Sequence, residues 1–342
     1  MFGRDVPGRQ AGAGWFQADL RPYLGIGAVL AAAALWGSTG TVAHFAPAGT
    51  TPASVGAARI VIGGALLVLI ALRGGRGSAA AGRSGFWHTD AGWSATRRAA
   101  LAIGAIGVAG YQVCFFTAVR LTGVAVGTVI AIGSGPVLAG LISWLAGTAR
   151  PSARWAVATA GAIAGCAVLL AGGQRAGVNV AGAGLALLAG LCYACYAVCA
   201  ATLIRGGTAE RPVMAVMFGG AAVLLAPVLA GTQAGWLLTW RGAAVAGWLG
   251  VLATAVAYLL YGYGLRTVQV PAAVTLGLAE PVIAAVLGVA VLGERLTGQA
   301  IAGLGLVGCS LVLLVAAHAR RGSPGRPGAA SPPGEGAGKS RL

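Results

Sequence analysis

Residues 118–150, AVRLTGVAVGTVIAIGSGPVLAGLISWLAGTAR, and residues 263–295, YGLRTVQVPAAVTLGLAEPVIAAVLGVAVLGER, have one layout although they match weakly residue by residue. Arg120 precedes Pro136 as Arg266 precedes Pro281, and each stretch ends in a Gly-containing turn followed by Arg150 or Arg295. The apolar runs that follow share a Gly-Cys pair, Gly165–Cys166 and Gly308–Cys309. Fixed-order repetition of this kind marks internal duplication. It predicts two copies over residues 23–173 and 181–318, flanked by an N-terminal tail (1–22) and a basic, disordered C-terminal tail (319–342) rich in Arg, Gly, Pro and Ser.

Working outward from these stretches, the rest of the chain is apolar runs separated by short polar turns. The 342 residues are 58% apolar and 9% charged, against about 25% charged in soluble globular chains. Ten runs are long enough to cross about 30 Å of hydrocarbon at 1.5 Å per residue. They fall at about 23–43, 53–72, 99–119, 123–146, 154–173, 181–203, 212–231, 242–263, 270–292 and 298–318. The fold class expected is therefore an all-α polytopic membrane protein of ten transmembrane helices. The run beginning at Tyr23 is read as a retained helix, because further apolar runs follow it instead of a cleavage signal alone. The 59 glycines suit helices that pack closely in lipid.

The net charge of +16 does not point to nucleic acid, since the Arg residues lie between apolar runs, as the positive-inside rule requires. With the N-terminus in the cytoplasm, only Arg120, Arg175, Arg241 and Arg295 fall outside and Arg59 falls within a span; all other Lys and Arg residues lie inside. Ten spans then put both termini in the cytoplasm of a cell (inner) membrane. Each copy has five spans, an odd number, so the second copy enters from the opposite side. Two inverted five-helix repeats are a plan of secondary transporters.

Several residues are costly where they lie. Glu280 sits near the middle of its span, where an ionisable group is functional or paired; it is a candidate for binding substrate or carrying a proton, and equally for holding helices together. Pro281 beside it frees a backbone carbonyl one turn back, and Pro136 is the matching helix-break candidate. Arg59 lies about 9 Å into its span by helical rise, where it could snorkel outward, bind an anionic group or pair with Glu280. Trp36, Tyr111 and Gln112 are polar-edged groups that either line a cavity or pack. Tyr193 and Tyr196 form a stripe with the same two readings. Arg266 reads as an interface anchor. Trp144, Trp155, Trp236 and Trp240, at span ends, read as residues of the interfacial aromatic belt. Gly123 to Gly127 and Gly161 to Gly165 read as packing faces.

Cys192, Cys195 and Cys199 share a helix face, but without His, Asp or Glu nearby they read as packing, and neither a metal nor a cofactor is expected. GEGAGKS (334–340) lacks the glycine spacing of a phosphate loop, Pro333 standing where the first Gly belongs. His44, His88 and His318 are scattered, which argues against an enzyme. No repeated charged or carbonyl filter favours a channel, which stays the alternative to a carrier. The partners expected are a small-molecule substrate, the lipid bilayer and, if the carrier is coupled, protons. A homodimer is compatible with the sequence and has no specific support in it.

The chain resembles the EamA family of the drug/metabolite transporter superfamily over residues 23–318. The resemblance is carried by Ala34-Leu35-Trp36-Gly37, by Arg59, by QVCFFTAVR (112–120) and Pro136, and most by Ala279-Glu280-Pro281 leading to Gly293-Glu294-Arg295-Leu296-Thr297-Gly298. It implies ten helices in two inverted halves and export of a small metabolite, amino acid-like, or of a drug, with exchange or facilitated diffusion as alternatives. The chain departs from the pattern in its first half. Gly147-Thr148-Ala149 replaces the Gly-Glu pair, Gly135 stands where the second half has Glu280, and Ile60 follows Arg59 in place of an aromatic.

Overall fold

The computed structural model describes residues 11–80, 94–171 and 179–322. Within them are ten helices long and apolar enough to cross a membrane. We label them α1 (Ala11–His44), α2 (Pro52–Ala80), α3 (Ala95–Thr122), α4 (Val124–Leu145), α5 (Ala153–Ala171), α6 (Val180–Arg205), α7 (Glu210–Ala230), α8 (Trp240–Gly264), α9 (Val270–Leu292) and α10 (Gly298–Gly322). α1 begins well before the span expected at residue 23, and α10 continues past 319 to Gly322. The remainder of the C-terminal tail, 323–342, lies outside the described residues, as do residues 1–10 and His88.

Burial is arranged as a bilayer solvent demands. Ile106, Val157, Val223 and Val312 are exposed, whereas the buried hydroxyls of Ser38, Thr275 and Ser310 return their protons to their own helix. Ser38 donates to Leu35 O at 2.7 Å, Thr275 to Pro271 O at 2.8 Å and Ser310 to Leu306 O at 2.8 Å. This satisfies the hydroxyl where no water is available.

The helices form two groups of four. α3, α4, α6 and α7 pack together, as do α1, α2, α8 and α9. The groups meet along α2–α7 and α4–α9, and α5 pairs with α10 alongside. Glycine sets the closeness of these seams. A Cβ on Gly165 would stand 2.9 Å from Gly303 O, and one on Gly161 2.5 Å from Ser310 Oγ, so this pair of glycines is a packing face toward α10. Gly123 is not part of one: it has φ 81° and makes the turn between α3 and α4. Gly147 and Gly293 close α4 and α9 with φ 66° and 69°, a left-handed conformation that glycine adopts without steric cost.

Two helices are irregular. α8 contains a π-helical stretch, Trp248–Val256, in which Thr254 Oγ1 donates to Leu249 O five residues back at 2.8 Å. α9 is interrupted by a 3₁₀ turn, Gly277–Ala279, immediately before Glu280. The Pro281 ring denies Gly277 O its usual helical donor; the Glu280 N–H supplies one instead. Pro136, by contrast, does not break its helix, since α4 runs through it unbroken.

Two of the four tryptophans assigned to the belt are anchored inside. Trp236 is buried and donates from Nε1 to Ser54 Oγ at 2.9 Å, and Trp155 donates to Thr275 Oγ1 at 3.2 Å. Trp144 and Trp240 are exposed, as a belt position requires. The belt reading failed for the first two because nearness to a span end does not say which way a ring points.

Candidate functional site

A cavity of about 330 Å³ lies between the two helix groups. Trp36, Arg59, Tyr111, Gln112, Tyr193, Tyr196 and Glu280, all singled out from the sequence, line it together. α1 contributes Trp36 and Thr39, α2 Arg59, α3 Tyr111, Gln112 and Phe116, α4 Thr128 and α6 the two tyrosines. Tyr193 and Tyr196, three apart on α6, share a face as helical geometry requires. Glu280 stands at the step in α9. Gly37 lets α1 approach that step, for a Cβ there would be 2.7 Å from Glu280 O.

The polar chemistry is concentrated on donors. Trp36 Nε1, Arg59 Nε and Gln112 Nε2 are buried with no protein hydrogen-bond partner, and so are Thr39 Oγ1 and Tyr196 Oη. A buried donor without an acceptor is disfavoured by about 1–3 kcal/mol, so five around one cavity form a surface suited to a polar ligand. Arg59 and Glu280 face the same space, but of the readings open to Arg59 the ion pair with Glu280 is not formed within 4.0 Å. Among the described residues the ion pair within 4.0 Å is Arg266–Glu210, at 3.5 Å. Arg266, read as an interface anchor, thus ties the end of α8 to the start of α7.

The rest of the wall is aromatic. Trp36 lies 5.1 Å from Tyr258 and 5.3 Å from Tyr261 between ring centroids, and Tyr258 lies 4.0 Å from Phe218. Tyr196 approaches Tyr258 and Tyr261 at 6.2 and 6.4 Å. This layer shuts the cavity toward the α6–α7 and α8–α9 turns. At the opposite end the lining reaches Val124, 67% exposed, beside the α3–α4 turn. Tyr258 was not singled out from the sequence, because nothing in the run AYLLYGYG tells which of its three tyrosines turn inward; in α8, Tyr258 and Tyr261 are buried and Tyr263 is exposed. Pro136 does not line the cavity; its neighbour Gly135 packs behind Tyr193. Cys192 packs against Gly110 on the seam between α3 and α6.

Comparisons with known proteins agree with this architecture. A family model described as the EamA-like transporter family matches twice, over residues 23–171 and 180–316. The chain is 40% identical over 261 residues to a protein of Bacillus subtilis (strain 168) named "Uncharacterized transporter YwfM", covering 76% of this chain and 83% of that one. A solved crystal structure superposes with a TM-score of 0.69 at 20% identity, covering 90% of this chain and 99% of the other; at that identity the likeness is one of fold.

Proposed function

Since the chain belongs to the EamA-like transporter family, we propose that it is a secondary carrier that exports a small polar metabolite, amino acid-like, or a drug of similar chemistry by alternating access. One observation carries this reading: Arg59 and Glu280, of opposite charge and unpaired with each other, face one cavity among unpartnered N–H donors and aromatic rings. Trp36, Arg59 and Gln112 offer donors to a carboxylate or another acceptor-rich group. Glu280 meets a cationic group or a proton. The aromatic wall takes the apolar body of the solute.

The proposed repeats are inverted. Support comes from the packing: exchanging each helix n with n + 5 turns the contacts of α6 with α3 and α4 into those of α1 with α8 and α9. It maps α2–α7, α4–α9 and α5–α10 onto themselves. Placing the first copy's N-terminus in the cytoplasm puts both termini there and opens the cavity outward. In the cycle, Glu280 takes a proton from outside as the solute leaves, the two helix groups rock, and solute binding from the cytoplasm favours release of that proton inside. A cavity closed at one end supports a carrier over a channel.

The test is a comparison of culture medium from cells with and without the gene. Export predicts at least one metabolite enriched outside when the gene is present. Faster uptake of a compound, with none enriched in the medium, would overturn the direction.

A further inference from the structure

The closed end of the cavity is held by two polar links that cross between the helix groups. Arg205, the last residue of α6, donates from Nε to Leu265 O at 3.1 Å and from Nη2 to Val268 O, both carbonyls just beyond α8. Five residues further on, Glu210 in the first turn of α7 meets Arg266 at 3.5 Å. α6 and α7 belong to one group and α8 to the other. Both links therefore fasten the ends that must separate if the cavity is to open on this side. The packing between the groups is close there as well: a Cβ on Gly262 of α8 would stand 3.1 Å from Met214 Cε of α7, so glycine lets these helices touch. At the opposite end the groups are linked at the α2–α7 seam, by Thr232 Oγ1 to Ser54 Oγ at 3.1 Å, but among the described residues no side-chain hydrogen bond joins 41–51 to 117–124.

We infer that Arg205, together with the Glu210–Arg266 pair, is a gate latch that holds this end shut while the other stands open. Arg205 is its main element. A guanidinium spanning two carbonyls past a helix C-terminus satisfies acceptors that the helix leaves unpaired and complements the negative end of its dipole. The ion pair contributes less, since the Arg266 side chain is 52% exposed and water screens it. It adds direction: it forms only when the start of α7 and the end of α8 are adjacent. Opening this side breaks both links. The inference rests on the alternating-access reading, but its test needs no substrate.

The experiment uses the full chain in lipid nanodiscs, its native cysteines replaced, with spin-label pairs at each end. Arg211→Cys with Gln269→Cys reports the latched end, and Ala48→Cys with Leu121→Cys the open one. The parent protein should give one short distance distribution at the latched end. Arg205→Gln should raise a second, longer distribution there by about tenfold in population ratio, the scale of losing charged hydrogen bonds. The Ala48–Leu121 distances should shorten in step. Glu210→Arg alone should shift the same way, and Glu210→Arg with Arg266→Glu should return toward the parent, a rescue that remains readable if Arg205→Gln does not fold. Unchanged latched-end distances in Arg205→Gln, or in Glu210→Arg if that is the variant that folds, overturn the latch; so does lengthening at both ends together, which is loosening and not gating. A reciprocal shift in a protein that moves no solute keeps the latch and removes the carrier reading. Solute transport with unchanged distances removes the latch alone.

Discussion

Gly135 packs against the ring of Tyr193: a Cβ at Gly135 would lie 2.9 Å from Cδ1, closer than real side chains approach. In the second repeat the matching position is Glu280, and there the near neighbour on α1 is Gly37. A Cβ on Gly37 would meet the Glu280 backbone carbonyl and Ile283, both at 2.7 Å, so at that position the glycine accommodates the backbone of α9 and not the Glu280 side chain. The missing acid of the first repeat thus has a steric reason, because Tyr193 occupies the room it would need. Gly135→Ala is expected to push Tyr193 toward the cavity and to destabilise the protein by about 1–3 kcal/mol, the usual cost of overpacking. Thermal unfolding in detergent measures this, and Gly135→Ala with Tyr193→Leu should recover part of the loss.

Ser54 accepts hydrogen bonds from Trp236 Nε1 at 2.9 Å and from Thr232 Oγ1 at 3.1 Å, tying the start of α2 to the segment between α7 and α8. Ser54→Ala leaves the buried indole N–H without its acceptor, so a loss of about 1–3 kcal/mol is expected. Ser54→Thr keeps the hydroxyl and should cost less. The measurement is the unfolding temperature of the two variants against the parent.

The ten spans were legible because each is an apolar run of bilayer length bounded by Arg or a turn, and no soluble fold needs ten of them. The cavity residues were legible for a related reason: Glu280, Arg59 and Gln112 are too costly in lipid to face it, so they must converge where protein surrounds them. What stayed hidden depends on rotation. Nothing in WLGVLATAV announces a π-helix, so the inward turn of Tyr258 could not be placed. Whether Trp155 and Trp236 face lipid or Thr275 and Ser54 depends on helices distant in the chain. The link from Arg205 to the end of α8 likewise joins groups sixty residues apart in sequence that nothing local relates.

Both termini are expected in the cytoplasm. Tags at residues 1 and 342 should be shielded from impermeant reagents in intact cells and become reactive after lysis. A shielded N-terminus with an accessible C-terminus would mean an odd number of crossings.

Glu280→Gln is expected to fold and reach the membrane yet lose proton-driven net export, while exchange of solute between equal pools survives. A bare carboxylate at mid-membrane costs about 3 kcal/mol on insertion scales, enough to disfavour rocking until it binds a proton or a cation. The amide carries neither charge nor exchangeable acid, so the empty return step no longer moves a proton. Loss of folded protein in this variant would assign Glu280 to holding the helices together.

The central claim is that solute binds between Arg59 and Glu280. It is tested most directly in proteoliposomes loaded with the metabolite that the medium comparison identifies. Net efflux under an imposed pH gradient is measured for the parent, Arg59→Gln and Glu280→Gln, with the amount of folded protein matched. The account predicts saturable efflux in the parent, a loss of about tenfold or more in apparent affinity in Arg59→Gln, as for removal of a charged hydrogen-bond donor, and no gradient-driven efflux in Glu280→Gln. Parental affinity in the first variant together with parental gradient-driven flux in the second would contradict it.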